Sequence, residues 1–281
     1  MLTRTDINAH FERANARPSR ALGQNFVADA NTVRKIVRLA DIGPHDHVIE
    51  IGAGLGSLTL AIAETQATVI AIEIDGHLID QLTKNICAHS NARVVHANAM
   101  TIDWTTLLEH DCMYTLVANL PYNVATPLVA DLLDFVPQIT RMLVMVQKEV
   151  GDRLAAKVGD DAYGAVSVKV AYYAEARVVG LVPPTVFIPQ PNVDSALVRI
   201  DRHVAPAVDP ETVSADRLFA VVRAGFAQRR KMLRKNLANV VTPDAFEQAM
   251  VPPTARAEEL SVEQWGRLAT QPLDNNRITY E

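Results

Sequence analysis

The sequence predicts an α/β fold in which a doubly wound, mostly parallel sheet precedes a small C-terminal α-helical domain. Short apolar runs alternate with amphipathic segments over about 170 residues, which is typical of parallel strands joined by helices. A glycine-rich turn, Gly52 to Gly56, joins one such run to a helix-like segment. From Ser214 onward the spacing of apolar residues is helical, and no segment there has the pattern of a strand.

The individual elements follow from the local pattern of apolar residues. Strands are expected where β-branched and other apolar residues run together, and helices where apolar residues recur every three or four positions. The predicted strands span residues 47–51, 68–73, 92–97, 114–118, 141–147, 177–182 and 196–200. The predicted helices span about residues 33–40, 57–64, 76–88, 126–135 and 148–156. Residues 166–174 fit either type, although the apolar spacing slightly favours a helix, and one of the last two strands is expected to be antiparallel.

Composition sets the predicted domain boundaries. Residues 204–213 contain two prolines and few large apolar side chains, so we interpret them as a linker. The prediction is therefore an α/β domain over residues 1–203 and a helical domain over residues 214–281, whose final part is acidic.

Bulk properties exclude several classes of protein. No run approaches 18 apolar residues, and the first residues are polar without an apolar signal segment, so we expect a cytoplasmic protein without a membrane partner. Cys87 and Cys112 have neither disulfide nor metal-ligand spacing, and no metal site is predicted. The net charge of −5 does not indicate a nucleic-acid-binding protein by itself.

A basic cluster nevertheless stands out between residues 223 and 235, a segment without acidic residues. Its members are Arg223, Arg229, Arg230, Lys231, Arg234 and Lys235. Such a cluster permits a polyanionic partner, because nearby charge outweighs the total charge at a contact. A solvated helix face is the competing interpretation.

The glycine-rich turn and Glu73 predict a nucleotide-like cofactor. Glycines at a strand-to-helix turn let the backbone approach a ligand, and a carboxylate about 20 residues later binds ribose hydroxyls. Ser57 stands where a dinucleotide motif needs its third glycine, which favours S-adenosylmethionine (SAM) over NAD. Asn98, after the third strand of this region, would lie near the adenine. The alternative is a turn whose glycines serve only helix packing.

The segment from Asn119 to Asn123 follows a buried strand, at the edge where such sheets place their chemistry. Leu120 precedes a proline and is biased toward an extended conformation, which frees its carbonyl, and Pro121 lacks an N–H. With the Asn119 amide oxygen and the ring of Tyr122, this loop suits an amino group on a flat ring. An ordinary Asn/Pro turn explains the loop equally well when these residues are taken alone.

Together these motifs resemble the ribosomal RNA adenine N6,N6-dimethyltransferases. Three further segments match that family, over roughly residues 20–240: Leu22–Phe26, Phe187–Ala196 and Phe226–Lys231. The resemblance is greatest to the small-subunit enzymes, which dimethylate two adjacent adenosines near the 3′ end of 16S ribosomal RNA (rRNA). It implies a Rossmann-like SAM-dependent methyltransferase fold, SAM as cofactor with S-adenosylhomocysteine (SAH) as product, and a role in ribosome biogenesis.

The resemblance also implies residue roles. The implied cofactor-binding residues are Gln24, Asn25, Val27, Gly52, Gly54, Glu73, Ile74, Asn98, Ala99 and Asn119. The implied catalytic residues are Asn119, Leu120, Pro121, Tyr122 and Phe187, of which the two aromatic rings would stack the target base. The basic cluster would bind RNA. The family usually has aspartate at position 98, so Asn98 puts recognition of the cofactor adenine in doubt.

The partner implied is 16S rRNA within the small ribosomal subunit or its precursor, bound by a monomer. The nearest rival is a 23S rRNA adenine methyltransferase that confers antibiotic resistance, with a similar fold and loop. A non-catalytic ribosome-assembly or transcription factor is a rival of another class, although the intact Asn119 loop and Glu73 argue against it. DNA adenine methyltransferases often have proline at position 120, and an NAD dehydrogenase has no use for the Asn119 loop.

Overall fold

The structure is a computed structural model that describes residues 1–271. Residues 272–281, the end of the predicted helical domain and of its acidic tail, lie outside the described residues. The predicted fold class is confirmed: a mostly parallel central sheet is flanked by helices. The strands are β1 (Phe26–Val27), β2 (His47–Ile51), β3 (Thr68–Glu73), β4 (Ala92–His96), β5 (Tyr114–Asn119), β6 (Ile139–Gln147), β7 (Ala174–Val182), β8 (Phe187–Ile188) and β9 (Ser195–Arg202).

Seven strands form the central sheet in the order β4-β3-β2-β5-β6-β9-β7. Strands β2 to β6 pair in parallel, whereas β9 runs antiparallel to β6, as the sequence predicted for one of the last two strands. Strands β1 and β8 form a separate antiparallel ribbon, with Phe26 opposite Ile188 and Val27 opposite Phe187. Strands β2, β3 and β5 are almost wholly buried, which explains their nearly continuous apolar sequences.

The five helices predicted between residues 33 and 156 are present, whereas the helices at Arg4–Arg13 and Trp104–Leu107 were not predicted. Residues 165–173 are helical, as their spacing favoured. The α-helices are α1 (Arg4–Arg13), α2 (Ala30–Ala40), α3 (Ser57–Ala63), α4 (Gly76–Ile86), α5 (Trp104–Leu107), α6 (Ala125–Phe135), α7 (Lys148–Ala155), α8 (Ala165–Tyr173), α9 (Ala215–Phe226), α10 (Leu233–Asn236), α11 (Ala245–Gln248) and α12 (Val262–Thr270). Two short 3₁₀ helices span Pro184–Val186 and Ala257–Glu259.

The chain divides into two compact units that differ from the predicted boundary at residue 203. The first unit comprises Met1–Asp152 and Arg177–Asp201, and it contains almost all of the central sheet. The second comprises Arg153–Ala176 and the chain from Arg202 onward. The prediction missed that α8 contributes Val168 and Tyr172 to the core of the second unit.

The predicted linker is also part of the second unit. Val213 is buried in its core, and Val208 packs so closely on Gly266 that a Cβ there would lie 2.8 Å from a Val208 methyl carbon. Prolines and a scarcity of large side chains indicated a linker, yet two valines suffice to anchor the segment.

Two observations bear on membranes and metals. None of the helices within residues 1–271 combines the length and apolar content that crossing a membrane requires. Over the same residues, no group of three or more His, Cys, Asp or Glu side chains is arranged to hold a metal ion.

Candidate cofactor and target site

The candidate site lies in the first unit, at the carboxyl ends of neighbouring parallel strands. Gly52 follows β2, Glu73 ends β3, Asn98 follows β4 and Asn119 ends β5. Because these strands are adjacent and parallel, their carboxyl ends meet at one edge of the sheet. The structure therefore brings together four groups that are far apart in the sequence.

The glycine turn forms an open cradle at this edge. Gly52, Gly54 and Gly56 all have positive φ, between +59° and +89°, a conformation that side-chain-bearing residues rarely adopt. A Cβ on Gly54 would lie 2.9 Å from the ring of Phe26. The cradle therefore needs glycine both for its backbone conformation and for its packing on β1.

Two backbone N–H groups fix the Glu73 carboxylate. Gly54 donates to Oε2 at 2.7 Å, and Asp75 donates to Oε1 at 2.9 Å. The side chain is only 5% exposed, and burial raises the pKa of Glu73, while the backbone hydrogen bonds oppose that rise. The carboxylate is therefore held rigidly where it can accept hydrogen bonds from a ligand's hydroxyl groups.

A second carboxyl group, Glu50, lies on β2 beside the cradle and was not predicted as a site residue. It is 2% exposed, and its one hydrogen-bond partner within the described chain is the hydroxyl of Thr59, which donates to Oε2 at 2.5 Å. Burial raises the pKa of Glu50 to about 8; the hydrogen bond from Thr59 opposes this rise and the Glu73 charge adds to it. A signal existed, since an acid inside the apolar run Val48–Ile51 needs an explanation.

Two neighbouring cavities open along the sheet edge. The first, of about 90 Å³, is lined by both glutamates but, within the described chain, by no Lys, Arg or His. The second, of about 170 Å³, is lined by Gly52, Ile74, Asn98, Ala99 and Met100. Ile74 is 44% exposed and Met100 37% exposed, so two large apolar side chains are available to a flat ring. The pair of cavities suits a ligand that carries positive charge at one end and a ring at the other.

The segment before α2, residues 19–27, borders the first cavity. It is hydrogen-bonded to the residues that follow β3 and to the end of β5. The Gln24 side chain accepts a hydrogen bond from the Ser19 N–H and donates to Asp75, each at 2.7 Å. The carbonyl of Asn25 accepts from the side-chain amide of Asn119 at 2.8 Å. Gln24, Asn25 and Val27, which the resemblance implies as cofactor-binding residues, all line the first cavity.

The loop after β5 presents hydrogen-bond acceptors. The Asn119 side chain donates from its amide nitrogen to the carbonyl of Asn25. Its oxygen Oδ1 accepts no hydrogen bond from residues 1–271 and is therefore available to a ligand. The Leu120 N–H donates to Met145 at 3.0 Å, whereas its carbonyl is likewise without a donor in that range. Pro121 follows and lines both cavities. Two carbonyl-type oxygens therefore remain available beside the first cavity.

The two predicted stacking aromatics have different environments. Tyr122 is half-buried, and its hydroxyl shares a hydrogen bond with Ser195 at 2.9 Å, while burial raises the pKa of Tyr122. Phe187 is 0% exposed and packs in the core with Val27 and Leu197. In this conformation its ring offers no face to a base, which differs from the predicted stacking role. The sequence could not indicate this, because the pairing of β8 with β1 buries the ring.

Asn98 adopts a local turn that limits what it can offer a ligand. Its Oδ1 accepts the Met100 N–H at 3.0 Å. The remaining Nδ2 group is a donor and cannot accept a hydrogen bond from an exocyclic amino group. The predicted pairing with adenine therefore depends on the second lone pair of one oxygen.

The basic cluster lies in the second unit, and its six side chains are exposed. Arg229 is engaged locally, because its Nη2 donates to the carbonyls of Asp161 at 2.7 Å and Tyr163 at 3.3 Å. Arg230 and Lys231 form no ion pair with any described residue. The two residues are therefore freer than Arg229 to meet an external anion.

Comparison with known proteins supplies a family. A sequence profile described as ribosomal RNA adenine dimethylase matches residues 15–271. A protein named ribosomal RNA small subunit methyltransferase A from Thermobifida fusca is 46% identical, covering 96% of this chain and 95% of its own length. The protein of that name from Streptomyces coelicolor is also 46% identical, with 96% of both chains covered.

Solved structures agree on the fold. The 23S rRNA methyltransferase ErmE aligns with a TM-score of 0.68 and 26% identity over 87% of this chain and 98% of its own. A dimethyladenosine transferase from Plasmodium falciparum aligns with a TM-score of 0.73 and 24% identity over 85% of this chain and 94% of its own.

Glu50 should make stability depend on pH. The folded chain holds this proton up to about pH 8, whereas an unfolded glutamate releases it near 4.5. Glu50 therefore lowers the free energy of unfolding as the pH rises through that window, by at most about 1.4 kcal/mol per pH unit. We expect Glu50→Gln, which keeps an acceptor for Thr59, to remove this loss.

Urea unfolding at several pH values between 5 and 8 measures the difference between the variant and the wild-type protein. The exposed Glu64→Gln is the matched control and should follow the wild-type protein throughout. A constant difference between Glu50→Gln and wild type across the range would contradict the assignment.

Proposed function

The chain belongs to the ribosomal RNA adenine dimethylase family, as its motifs predicted, and we propose that it dimethylates the N6 amino groups of two adjacent adenosines near the 3′ end of 16S rRNA. Family membership makes it an enzyme that methylates rRNA adenine with SAM. The observation that carries the proposal is the pair of acceptors, Asn119 Oδ1 and the Leu120 carbonyl, beside the cofactor cavity.

The small subunit is the better-supported target. The relatives that are 44–46% identical over nearly the whole chain are named small-subunit methyltransferases, whereas the 23S enzyme structure is 26% identical. The non-catalytic alternative loses support because the glycine cradle, the Glu73 carboxylate and the loop after β5 are all present. We further propose a cytoplasmic monomer that acts on the small ribosomal subunit or its precursor.

The cavities fit SAM on chemical grounds. A sulfonium cation suits a cavity lined by two buried carboxyl groups and, among the described residues, by no base. Glu73 would accept the ribose hydroxyls, as its fixed carboxylate allows. Ile74 and Met100 would enclose the adenine, with Asn98 and Ala99 at its edge. When bound, SAM supplies an electrophilic methyl group.

The residues of the loop would activate the target amine by position. The lone pair of the adenine amino nitrogen is delocalised into the ring, so the free base is a poor nucleophile. Asn119 Oδ1 and the Leu120 carbonyl would accept its two N–H bonds, and the ring of Tyr122 would stack on the base, which is taken out of its strand. This directs the lone pair toward the cofactor cavity. The two oxygens also favour the positive charge that develops on nitrogen, and the methylated amine then releases one proton to solvent.

The second transfer uses the same acceptors with one N–H fewer. A monomethylated amine can still donate its remaining N–H to one oxygen. The methyl group takes the place of the other hydrogen, so the second hydrogen bond is lost. Leu120 is buried, so its backbone is held in place and its carbonyl cannot move far to follow the change. We propose that Asn119 keeps the remaining hydrogen bond in the second transfer.

The basic cluster is the proposed RNA contact of the second unit. Six exposed basic side chains within 13 positions give it a local charge that the protein's net charge conceals. Arg230 and Lys231 would contact phosphates, whereas Arg229 would chiefly hold the loop of Asp161 and Tyr163 in place.

The direct test is incubation with labelled SAM and small subunits from cells that lack this modification. Mapping of the labelled nucleosides should find N6,N6-dimethyladenosine at two adjacent positions near the 3′ end of 16S rRNA. Label in 23S rRNA alone would support the rival enzyme, and binding of SAM without transfer would support the non-catalytic alternative.

Asn98→Asp should tighten SAM binding. One carboxylate oxygen can keep the Met100 N–H while the other accepts from the adenine amino group, which Asn98 can do only through a shared oxygen. A charged acceptor strengthens such a bond, so we expect about tenfold higher affinity. Titration calorimetry measures it. The exposed Asn31→Asp is the control, and equal affinities of Asn98→Asp and wild type would oppose the proposed adenine contact.

Asn119→Ala should lower methyl transfer by at least about 100-fold, because the amine loses an acceptor and its orientation. SAM binding should fall only modestly, since Glu73 and the glycine cradle remain. Single-turnover transfer and calorimetry separate the two effects. Asn123→Ala, in the same loop, is the control. Near-wild-type dimethylation by Asn119→Ala would eliminate the assigned role.

Neutralising Arg230 and Lys231 together should weaken RNA binding and make it less dependent on salt. Each lost phosphate contact lowers the slope of log affinity against log salt concentration by about one. Binding of the double alanine variant to small subunits at several salt concentrations measures this. Arg34→Ala, on α2 of the first unit, is the control, and an unchanged slope would identify the cluster as a solvated helix face.

A further inference from the structure

A surface groove of about 280 Å³ in the first unit has no role in the site described above. The end of α1 and the turn after it form one side, and the β8 strand forms the other. The residues that matter are Asn8, Phe11, Asn15, Arg17, Pro18 and Ile188.

The groove adjoins the target loop through one short strand. Ile188 pairs with Phe26 across the β1–β8 ribbon, and the ring of Phe11 lies 5.4 Å from that of Phe26 between centroids. The residue before Phe26 is Asn25, whose carbonyl holds the amide of Asn119. Phe26 and Asn25 therefore connect the groove to the target-amine acceptors through direct contacts.

The lining has the chemistry of a nucleotide site. Pro18 and Ile188, both half-buried, supply apolar surface for a base, whereas Phe11 is only 9% exposed and mainly supports them. Asn8 and Asn15 are exposed, and neither side chain has a hydrogen-bond partner in the described chain. An asparagine amide can pair with both the amino group and N7 of adenine, which makes this residue type suited to adenine.

Charge around the groove favours a polyanion. Arg17 is exposed and forms no ion pair with any described residue, and Arg13 and Arg20 flank it in the sequence. Among the described residues, the groove itself is lined by one acidic side chain, Glu12, and one basic side chain, Arg17, so the excess of positive charge comes from Arg13 and Arg20 beside it in the sequence. Arg17 can therefore contact a phosphate, while Glu12 can accept a hydrogen bond from an amino group.

We propose that this groove binds the adenosine next to the one in the target loop. The inference rests on the proposed function, which requires two adjacent adenosines to enter one site in turn. While one base is at Asn119, the other needs a defined place, and the groove beside the β1–β8 ribbon provides it. The two asparagines read its base, and Arg17 holds the phosphate.

Two substitutions test the groove without disturbing the fold. Asn15 has φ of +46°, so Asn15→Gly removes the amide and keeps a conformation that glycine adopts readily. Asn8 lies within α1, where alanine is the best helix former, so Asn8→Ala removes the second amide. Neither residue belongs to the catalytic or cofactor-binding set. The exposed Asn31→Ala, on α2, is the matched control.

The measurement is kcat/KM, taken from single-turnover transfer at subsaturating substrate. It is made with two kinds of small subunit. One has the natural adenosine pair, and in the other the neighbour of the first target is uridine. With the natural pair, the double variant Asn8→Ala/Asn15→Gly should lose about tenfold. Wild type should lose the same factor on the uridine substrate. The variant should lose nothing further there, because the contact is already absent.

Each result decides the matter. Equal rates of the variant and wild type on the natural pair would overturn the proposal, as would losses that multiply when variant and uridine substrate are combined. SAM affinity and thermal unfolding of the variant, both expected to match wild type, exclude misfolding as the cause of a loss. Failure of wild type to methylate the natural pair would instead refute the proposed function, so the two failures are distinct.

Discussion

The hydrogen bond from the Asn119 amide nitrogen to the carbonyl of Asn25 determines that the loop after β5 offers an acceptor, rather than a donor, to a ligand. An asparagine side chain can present either a donor or an acceptor, and this contact commits its nitrogen to the protein. The oxygen then faces the side where a target amine would lie. The same contact ties the segment before α2 to the target loop. Cofactor enclosure and acceptor geometry therefore depend on one interaction between residues that are 94 positions apart.

Much of the site was predictable because parallel sheets align the carboxyl ends of their strands. Once the runs ending near Ile51, Glu73 and Asn119 are recognised as neighbouring strands, their terminal polar residues must meet at one edge. The glycine turn was likewise predictable, since side-chain-bearing residues rarely adopt the φ values found there. Local sequence carried these features because backbone geometry, rather than distant contacts, determines them.

The features that escaped prediction depend on packing between distant segments. Phe187 has the sequence context of a stacking aromatic, yet pairing of β8 with β1 buries its ring. Residues 153–176 follow β6 in the chain but belong to the second unit, because the apolar face of α8 meets a core supplied largely from beyond residue 202. Asn98 carries an amide whose oxygen is already used within its own turn. The spacing of residues in the local sequence predicts none of these features.

The buried carboxyl groups explain why a cationic cofactor suits this fold. Glu50 and Glu73 both have raised pKa values because burial disfavours their charged forms, and no basic side chain among the described residues lines their cavity. A ligand with a positive charge stabilises the ionised forms of both groups, which burial disfavours. Transfer of the methyl group turns the sulfonium of SAM into the neutral thioether of SAH, so that stabilisation is lost at the moment of reaction. SAM bound in this cavity as proposed would therefore be favoured over SAH, which would help the exchange of cofactor between the two proposed transfers.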